Sequence, residues 1–442
     1  MQEWLWKSAA DLGRAIGAGQ IDPVALAETY LAAIAEHPQR DRIFARTTQD
    51  RALAEAHAAR QRAATGHRLS VLDGVPISWK DLFDTAGTAT EAGSALLAGR
   101  MPAADALVLR NATQMGLVCL GKTHMTELAF SGLGVNPVTA TPPNVHNPAL
   151  APGGSSSGAA TSVAFGLAAA GIGSDTGGSV RVPSAWTDLV GLKTTAGRVS
   201  LQGVVPLCAR FDTVGPLCRT VEDAALIFAA LEGRRAPDLR GASLQGRRFA
   251  ALNTVAMDDL RDAPDAAYRS ALDRLRAAGA EIVALDAPEV ADAMALAPTL
   301  FAPEAYGQWH EQIEAAPHLM HQQVLERFRG GATVSGPEFV SAWLKLDQLR
   351  QIWAARVAGF DAVLLPATPN LPPDVARLES DAQYFVTENL LTLRNTRIGN
   401  LLGLSAVTLP TGVPSCGIML MGQAMGEDRL LRMAAAAEAA LA

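Results

Sequence analysis

The strongest constraint on the fold is an alternation that begins at Leu72, where short apolar runs bounded by glycine and proline start to alternate with stretches of helical periodicity. This alternation predicts an α/β protein, with a mixed, mostly parallel twisted sheet flanked by helices on both faces. The predicted strands are residues 75–79, 117–120, a short one at Ile172, 249–252, 282–285, 362–365, 406–409 and 418–421. The predicted helices are residues 105–115, 159–170, 221–231, 266–277 and a closing helix from about Asp428.

The N-terminal segment, residues 1–60, is predicted to be a helical lead-in packed on the core. Ser8 and the pair Asp22-Pro23 are typical helix starts, because the side-chain oxygens of Ser and Asp accept hydrogen bonds from free backbone N–H groups. Although 442 residues leave room for two or three domains, no change in composition marks a linker. We therefore predict that residues 61–442 form one compact unit.

Charge and composition exclude several classes of function. The 37 basic residues are outnumbered by 44 acidic ones and form no stripe, which disfavours a nucleic-acid partner. The four cysteines, Cys119, Cys208, Cys218 and Cys416, have the spacing of neither a zinc site nor a disulfide framework. The longest nearly apolar run, residues 163–173, is too short to span a bilayer, and the N-terminus lacks a signal-peptide pattern. We expect a cytoplasmic protein with no membrane partner and no metal.

Residues 116–123 match the pattern G-x-x-x-x-G-K-[ST] of a phosphate-binding loop. The four residues between the glycines are Leu, Val, Cys and Leu, an apolar run typical of a buried strand. A phosphate cradle instead needs a flexible loop that follows the strand. Nucleotide binding that depends on Lys122 is therefore only an alternative, from a different class of function.

Two turns rich in glycine and serine, residues 152–158 and 173–183, bracket a single predicted helix and strand. Glycine lets another group approach the backbone closely, and successive N–H groups around residues 176–179 can converge on one point. Such a point suits a negatively charged oxygen. A single turn of this kind is usually a plain connector, but two of them around one short unit favour a site.

A serine nucleophile in these turns needs a base. None of the eight histidines lies in a recognisable triad motif, and the G-x-S-x-G of residues 154–158 lacks the preceding strand which that motif requires. Lysine is the other common base. Lys80 is the one lysine at the end of a strand-like apolar stretch, residues 74–79, where burial would favour its neutral, basic form.

Five blocks of sequence together resemble the successive motifs of the amidase signature family. They are residues 74–81 (GVPISWKD), 121–127 (GKTHMTE), 152–158 (PGGSSSG), 173–183 (GSDTGGSVRVP) and 190–194 (VGLKT). Further blocks at 361–369, 403–410 and 426–431 extend the resemblance from about residue 70 to the C-terminus. The separations of 75 residues between Lys80 and Ser155, and of 24 between Ser155 and Ser179, also match that family.

The resemblance implies a Ser-Ser-Lys triad that hydrolyses amides through an acyl-enzyme, with no cofactor. Ser179 would attack the carbonyl carbon, Ser155, preceded by a cis peptide bond, would relay its proton, and neutral Lys80 would receive it. Asp175 and Arg181 would brace the nucleophile's loop. The backbone N–H groups that would hold the oxyanion are those of Thr176, Gly177, Gly178 and Ser179.

The substrate pocket is less constrained by the sequence. His124 and Trp79 stand where the family usually has asparagine and a smaller aliphatic residue, so the wall near the lysine is expected to be unusual. The other walls are expected from segments 130–134, 301–310 and 384–393, which carry aromatic side chains. The predicted pocket residues are Trp79, Met125, Phe130, Trp309 and Phe385.

These residues favour a small aryl or alkyl amide, or the matching ester, as substrate, and a homodimer stays an open option. Two alternatives use the same triad: hydrolysis of carbamates or ureas such as biuret, and the glutaminase subunit of a tRNA-dependent amidotransferase. Glutamine recognition would need a placed acid and a placed arginine, for which the candidates are Arg327, Arg329 and Arg394. We expect glutamine not to be the preferred substrate.

Overall fold

The computed structural model describes residues 2–442 and contains one mixed sheet of eleven strands. The strands are β1 (Phe44–Thr47), β2 (Pro76–Lys80), β3 (Val118–Thr123), β4 (Ala170–Ser174), β5 (Val190–Lys193), β6 (Val214–Cys218), β7 (Arg248–Leu252), β8 (Glu281–Leu285), β9 (Ala362–Pro366), β10 (Ser405–Pro410) and β11 (Gly417–Gly422). Their order across the sheet is β1-β3-β2-β4-β6-β5-β10-β11-β9-β7-β8.

Sixteen α-helices accompany the sheet within residues 2–442. They are α1 (Ala9–Gly17), α2 (Pro23–Glu36), α3 (Arg40–Ile43), α4 (Gln49–Ala64), α5 (Leu107–Gln114), α6 (Ser157–Ala164), α7 (Arg181–Trp186), α8 (Val221–Glu232), α9 (Asp262–Ala277), α10 (Pro288–Ala295), α11 (Ala297–Ala315), α12 (Gln322–Arg329), α13 (Gly336–Arg356), α14 (Val375–Ser380), α15 (Ala382–Leu401) and α16 (Glu427–Leu441). Short 3-10 turns lie at Gln2–Trp6, Ala95–Leu97, Glu127–Ala129, Pro317–Leu319 and Gly330–Thr333.

The sheet is mixed, as expected, but the prediction that it is mostly parallel is wrong. Six of the ten strand pairs are antiparallel and four are parallel. Parallel neighbours need a long crossover, whereas antiparallel ones can be joined by a short connection. Residues 411–416 are such a connection, because they lead directly from β10 into its antiparallel partner β11.

Local signals in the sequence are confirmed at the helix starts. The Ser8 side chain accepts a hydrogen bond from the N–H of Asp11, and the Asp22 side chain accepts one from the N–H of Val24. The helix predicted over 159–170 is too long, because α6 ends at Ala164 and the chain then turns through Gly166, whose φ is +74°. Its last predicted residue belongs instead to β4.

The N-terminal segment contributes a strand as well as helices. β1 pairs antiparallel with β3, and Phe44 lies opposite Thr123. The boundary expected at residue 60 falls inside α4. The lead-in is therefore joined to the rest of the chain by the backbone hydrogen bonds of the shared sheet.

Strands β3, β2 and β4 are neighbours and run parallel, so their carboxyl ends meet at one edge of the sheet. This edge is where ligands bind in many α/β proteins. Lys80 ends β2, and Ser174 ends β4 at the same edge. The fold thus places a lysine beside the start of the loop that contains Ser179.

The state of the cysteines and the apolar character of the helices can also be read from the structure. All four cysteines are buried and have free thiols. Among the helices of residues 2–442, none combines the length and the apolar character needed to cross a membrane.

Candidate active site

Lys80 is completely buried at the end of β2. Its Nζ donates hydrogen bonds to Ser155 Oγ and to Ser174 Oγ, each over 2.8 Å. Ser155 lies in the turn before α6, and Ser174 ends the neighbouring strand β4. The fold therefore brings into direct contact a lysine and a serine that are 75 residues apart in the sequence.

Burial makes the neutral form of Lys80 accessible. Removal from water lowers the pKa of the ammonium group from 10.5 to about 7, although the negative charges of Asp175 and Asp212 oppose this shift. The groups bonded directly to Nζ are hydroxyls rather than carboxylates. A lysine with this pKa accepts a proton readily near neutral pH.

The three consecutive serines before α6 have different surroundings. Ser155 follows the cis peptide bond between Gly154 and Ser155, and it alone contacts Lys80. The N–H of Ser156 donates to the carbonyl of Ser179 over 3.2 Å, and its hydroxyl donates to a backbone carbonyl of β4. The Ser157 hydroxyl is buried and has no partner within residues 2–442. The backbone at Ser156 therefore joins the two glycine-rich turns.

The loop of Ser179 is held by the carboxylate of Asp175. This carboxylate accepts hydrogen bonds from the N–H groups of Gly178 and Val180, over 2.9 and 3.1 Å. It also accepts two bonds of 2.9 Å from the guanidinium of Arg181. The family resemblance implies a bracing role for Asp175 and Arg181; here Asp175 binds two backbone N–H groups of the loop, and Arg181 binds Asp175.

The Asp175–Arg181 ion pair is fully buried. Burial alone would raise the pKa of the Asp175 carboxyl, but the charge and hydrogen bonds of Arg181, helped by Lys193 and Asn400, hold that pKa well below its usual range. Arg181 also donates to Asn400 Oδ1 over 2.6 Å and to the carbonyl of Thr396 over 2.7 Å. The network therefore ties the loop of Ser179 to α15.

We expect Arg181→Met to lower the free energy of unfolding by about 3–5 kcal/mol, because it leaves a buried carboxylate without its cation. Urea titration of the wild type and the variant measures this loss. Arg269→Met is the matched control, since Arg269 pairs with Asp265 at the exposed surface, where solvent screens the charges and such pairs add little stability. Equal losses in the two variants would show that the buried pair does not stabilise the loop.

Three backbone N–H groups around Ser179 have no hydrogen-bond partner within residues 2–442, namely those of Thr176, Gly177 and Ser179. The fourth group expected in an oxyanion site, the N–H of Gly178, donates to Asp175 instead. Gly178 has a φ of +140°, and a Cβ there would lie 2.1 Å from Thr396 Oγ1. Among residues 2–442, three backbone N–H donors of this loop are therefore free, and the fourth stabilises the conformation of the loop by binding Asp175.

A cavity of about 260 Å³ opens beside this loop. Thr176, Gly177 and Ser179 form one wall, and Ser179 keeps 4% of its surface exposed whereas Ser155 keeps none. The remaining lining is mostly apolar and consists of Ala129, Phe130, Ser131, Leu207, Met294, Ala297, Pro298, Phe301, Ala302, Leu390 and Leu393, together with Arg327 and Arg397. Of Ser155 and Ser179, it is Ser179 that a molecule in the cavity would meet.

Of the five pocket residues predicted from the sequence, Phe130 lines this cavity and the other four do not. Trp79 packs edge-on against Phe83 with 5.3 Å between ring centroids. Met125 is fully buried in the main apolar core. The departure of Trp79 from the family pattern therefore affects the packing of β2 rather than this cavity.

The two later aromatic residues also belong to the core. Trp309 donates from Nε1 to the carbonyl of Pro206 over 2.9 Å, and Phe385 packs edge-on against His321. The segments that contain them do reach the cavity, but through other residues: 301–310 through Phe301 and Ala302, and 384–393 through Leu390 and Leu393. Trp309 lies on the same side of α11 as Ala302 but about two turns further along the helix, beyond the cavity. Phe385 lies on a different face of α15 from Leu390 and Leu393.

Sequence reasoning missed three residues of the site. Ser174 shares the Lys80 ammonium with Ser155, and its place at the end of a strand beside β2 was a usable signal. Asp212 accepts a hydrogen bond of 2.5 Å from Thr176 Oγ1, and Arg397 lines the cavity. Neither Asp212 nor Arg397 lies in a recognisable motif, so only the fold reveals their position.

The segment that matches a phosphate-binding loop is a strand. All six residues of β3 are buried. Lys122 Nζ donates to the carbonyl of Phe83 and to Thr90 Oγ1, over 2.6 and 2.8 Å, and lies 3.3 Å from the carboxylate of Asp81. The lysine that would bind a nucleotide phosphate is therefore committed to contacts within the protein.

A second cavity, of about 620 Å³, is larger but lies elsewhere, between α13 and strands β9 and β11. Its lining includes Arg350, Trp353 and Met421 but none of the residues around Lys80. The lining found within residues 2–442 contains no serine, cysteine, histidine or lysine, so the candidate active site is identified by its chemistry and not by the size of the cavity.

Comparison with known proteins identifies the family of this chain. A family model described as Amidase matches residues 25–431. The chain is 37% identical over 385 residues to 2-amino-5-chloromuconic acid deaminase of Comamonas testosteroni, covering 85% of this chain and 83% of that protein. It is 31% identical over 473 aligned residues to a subunit of the glutamyl-tRNA(Gln) amidotransferase of Anaeromyxobacter sp. (strain K), covering 97% and 95%. The structure of peptide amidase from Stenotrophomonas maltophilia matches with a TM-score of 0.83 at 27% identity, covering 99% and 98%. This chain belongs to the amidase family and is an amide-hydrolysing enzyme.

Proposed function

We propose that the protein hydrolyses the C–N bond of small amides with Ser179 as nucleophile, Ser155 as proton relay and Lys80 as base. The observation that carries this proposal is the 2.8 Å hydrogen bond between Ser155 Oγ and a buried lysine whose pKa is about 7. The backbone hydrogen bond from the N–H of Ser156 to the carbonyl of Ser179 joins the turn of Ser155 to the loop of Ser179, which supports this assignment. Ser179 also lies in the cavity wall, where a substrate carbonyl can approach it.

In the first half of the reaction, Ser179 Oγ attacks the amide carbonyl carbon. Its proton passes to Ser155, and the proton of Ser155 passes to Lys80 Nζ. The carbonyl oxygen becomes an oxyanion, which the free N–H groups beside Ser179 would stabilise by about 3–4 kcal/mol each. The C–N bond then breaks as protonated Lys80 returns a proton through Ser155 to the leaving amine.

In the second half, water hydrolyses the ester between the acyl group and Ser179. The water proton follows the same route to Lys80, and the water oxygen bonds to the carbonyl carbon. The ester bond breaks, Ser179 Oγ regains a proton from Lys80 through Ser155, and the carboxylic acid is released. The enzyme returns to its starting protonation state after each turnover.

The dimensions of the cavity support a small substrate. About 260 Å³ with mostly apolar walls fits a small alkyl or aryl amide, or its ester. The relative from Comamonas testosteroni is named for acting on an organic acid, which also favours a small molecule. Carbamates and ureas present a comparable carbonyl to the same three residues, so they belong in the substrate test.

Glutamine is the second candidate because of the amidotransferase relative. Recognition of free glutamine needs an acid for its amino group and an arginine for its carboxylate. Arg327 lines the cavity, whereas Arg329 and Arg394 do not, and the lining found within residues 2–442 includes no aspartate or glutamate. The missing acid favours a stand-alone hydrolase over a glutaminase subunit.

Release of ammonia or amine by the purified chain tests this proposal. The panel contains alkyl and aryl amides with and without charged groups, their esters, carbamates, biuret and glutamine. We expect at least one simple amide or ester to be hydrolysed faster than glutamine, and no release above background by Ser179→Ala. Glutamine turnover that appears only with companion subunits, without any activity on simple amides, would favour the amidotransferase function instead.

A further inference from the structure

Two arginine side chains line the same cavity as Ser179: Arg327 on α12 and Arg397 on α15. Neither makes a side-chain hydrogen bond or an ion pair with any of residues 2–442, and Arg327 Nε is buried without a partner. Other arginines on the same helices are paired. Arg329 binds Glu314 over 2.7 and 2.9 Å, and Arg394 binds Asn395 over 3.2 Å. The two cavity arginines are therefore unusual for their own helices.

Each of these arginines lies over an aromatic ring of the cavity wall. The Arg327 guanidinium is 4.6 Å from the ring centroid of Phe130, and that of Arg397 is 5.9 Å from the ring centroid of Phe301. A ring engages the flat face of a guanidinium and leaves its N–H groups, which lie in the plane, free to bind another ligand. These N–H groups are the donors that suit the two oxygens of a carboxylate.

The charges of the two arginines are not balanced within the cavity. Burial, together with the nearby positive charge of Arg397, lowers the pKa of Arg327 to about 9. Burial also lowers the pKa of Arg397, to about 10. Both groups stay protonated at neutral pH, so a cavity whose other walls are mostly apolar contains two positive charges. An anionic ligand would relieve their repulsion and complete their hydrogen bonds.

We propose that Arg327 and Arg397 bind a carboxylate of the substrate, which makes the substrate class amide acids: small molecules with an amide and a free carboxylate. The claim that the substrate contains an amide rests on the proposed function of Ser179, whereas the claim that it contains a carboxylate rests on the two arginines alone. An apolar spacer between the two groups matches the walls of the cavity, and its size limits that spacer to a few carbon atoms. Monoamides of short dicarboxylic acids are the simplest members of this class.

Binding to the inactive variant Ser179→Ala tests the carboxylate site without turnover. Succinamate and glutaramate carry the carboxylate, and their diamides, succinamide and glutaramide, have nearly the same shape without the charge. By isothermal titration calorimetry we expect at least one of the two acids to bind about tenfold or more tightly than its diamide, because charge-assisted hydrogen bonds are lost in the diamide. Failure of both acids to bind, or equal binding of acid and diamide, would overturn the inference.

Substitutions in the same background identify the binding residues. Arg327→Gln and Arg397→Gln should each remove most of the preference for the acid, and Arg327→Lys should retain part of it because it keeps a charge without the two-pronged geometry. Arg329→Gln and Arg394→Gln are the matched controls on the same two helices and should keep the full preference. A preference that survives both cavity substitutions would show that the carboxylate binds elsewhere.

Turnover by the chain with Ser179 intact separates the two proposals. Tight binding of amide acids without any ammonia release would leave the carboxylate site standing and contradict the hydrolase mechanism. Rapid hydrolysis of diamides at the same kcat/KM as the acids would support the mechanism and overturn the carboxylate site. If both proposals hold, kcat/KM for the acid exceeds that for its diamide by the same factor of about ten or more seen in binding.

Discussion

Ser179→Ala is expected to lower kcat by at least about 10⁴-fold while the protein remains folded, since loss of a serine nucleophile leaves only the contributions of binding and of the oxyanion site. No other hydroxyl of the cavity wall is placed to substitute for it. The hydroxyl of Thr176 donates to Asp212, and that of Ser131 donates to Asn389 Oδ1 over 3.0 Å. The effect should therefore be close to complete.

Initial rates with an ester substrate measure this loss, and a fluorophosphonate probe locates the reactive serine. The wild type should be labelled at Ser179, and Ser179→Ala should not be labelled. Ser157→Ala is the matched control, because it removes a nearby buried hydroxyl that has no hydrogen-bond partner among residues 2–442, and it should keep both rate and labelling. Labelling of Ser155 in the Ser179→Ala variant would instead make Ser155 the nucleophile.

The sequence predicts those parts of the site in which short motifs carry the chemistry. Lys80 ends an apolar run, and Ser155 and Ser179 lie in glycine-rich turns whose backbone shape few other residues permit. The strand that carries Lys80 could be predicted from local pattern alone. The contact of Ser174 with the same lysine could have been anticipated, because β2 and β4 end at one edge of the sheet.

The walls of the cavity could not be predicted in this way. Phe301 lines the cavity while Trp309, on the same helix, packs in the core, and hydrophobic character does not distinguish these two environments. The same limit applies to arginines. Arg329 pairs with Glu314 at the surface, whereas Arg327, two residues earlier, lines the cavity and has no side-chain hydrogen-bond partner in the described part of the chain, residues 2–442. Which face of α12 meets the site depends on packing between helices that are distant in sequence from the motifs.

The direction of the strands is the second feature that the sequence does not predict. An apolar run of four to six residues predicts a buried strand in either orientation, because buried strands are apolar on both faces whether they are parallel or antiparallel. The helical patterns between runs favoured parallel pairing, which is correct around β2 and at β7. In the middle of the sheet the pairs β4–β6, β6–β5 and β5–β10 are antiparallel. The segments that connect these strands carry no sequence pattern from which strand direction could be predicted.

The pH dependence of hydrolysis should report the ionisation of Lys80. If the lysine accepts the proton of Ser155, kcat/KM should rise with pH through an apparent pKa of about 7 and then level off, well below the value of 10.5 for a solvated lysine. A pH-rate profile from pH 5 to 10 on a substrate that does not ionise in this range measures it. A profile that is flat across this range, or that rises only near pH 10, would contradict a neutral Lys80 as the base.

Lys80→Met removes the base while keeping a side chain of similar length. We expect kcat/KM to fall by about 10²–10⁴-fold, the usual contribution of a positioned acid–base group, and the rise near pH 7 to disappear. Lys345→Met is the control, because Lys345 is exposed on α13 and its loss should change neither rate nor profile. Full activity of Lys80→Met would exclude the proposed triad.

The stability of the same variant supplies an independent check on the pKa. The folded-state pKa of Lys80 lies below its unfolded-state value, so between about pH 7 and 10.5 the unfolded chain binds a proton that the folded chain does not. The burial of Lys80 therefore destabilises the fold fully below about pH 7, and this cost diminishes as pH rises to about 10.5. Urea titrations should show the free energy of unfolding of the wild type increasing with pH relative to that of Lys80→Met across this window. A constant difference between the two proteins would mean that Lys80 stays charged in the folded state, where it could not accept the proton of Ser155.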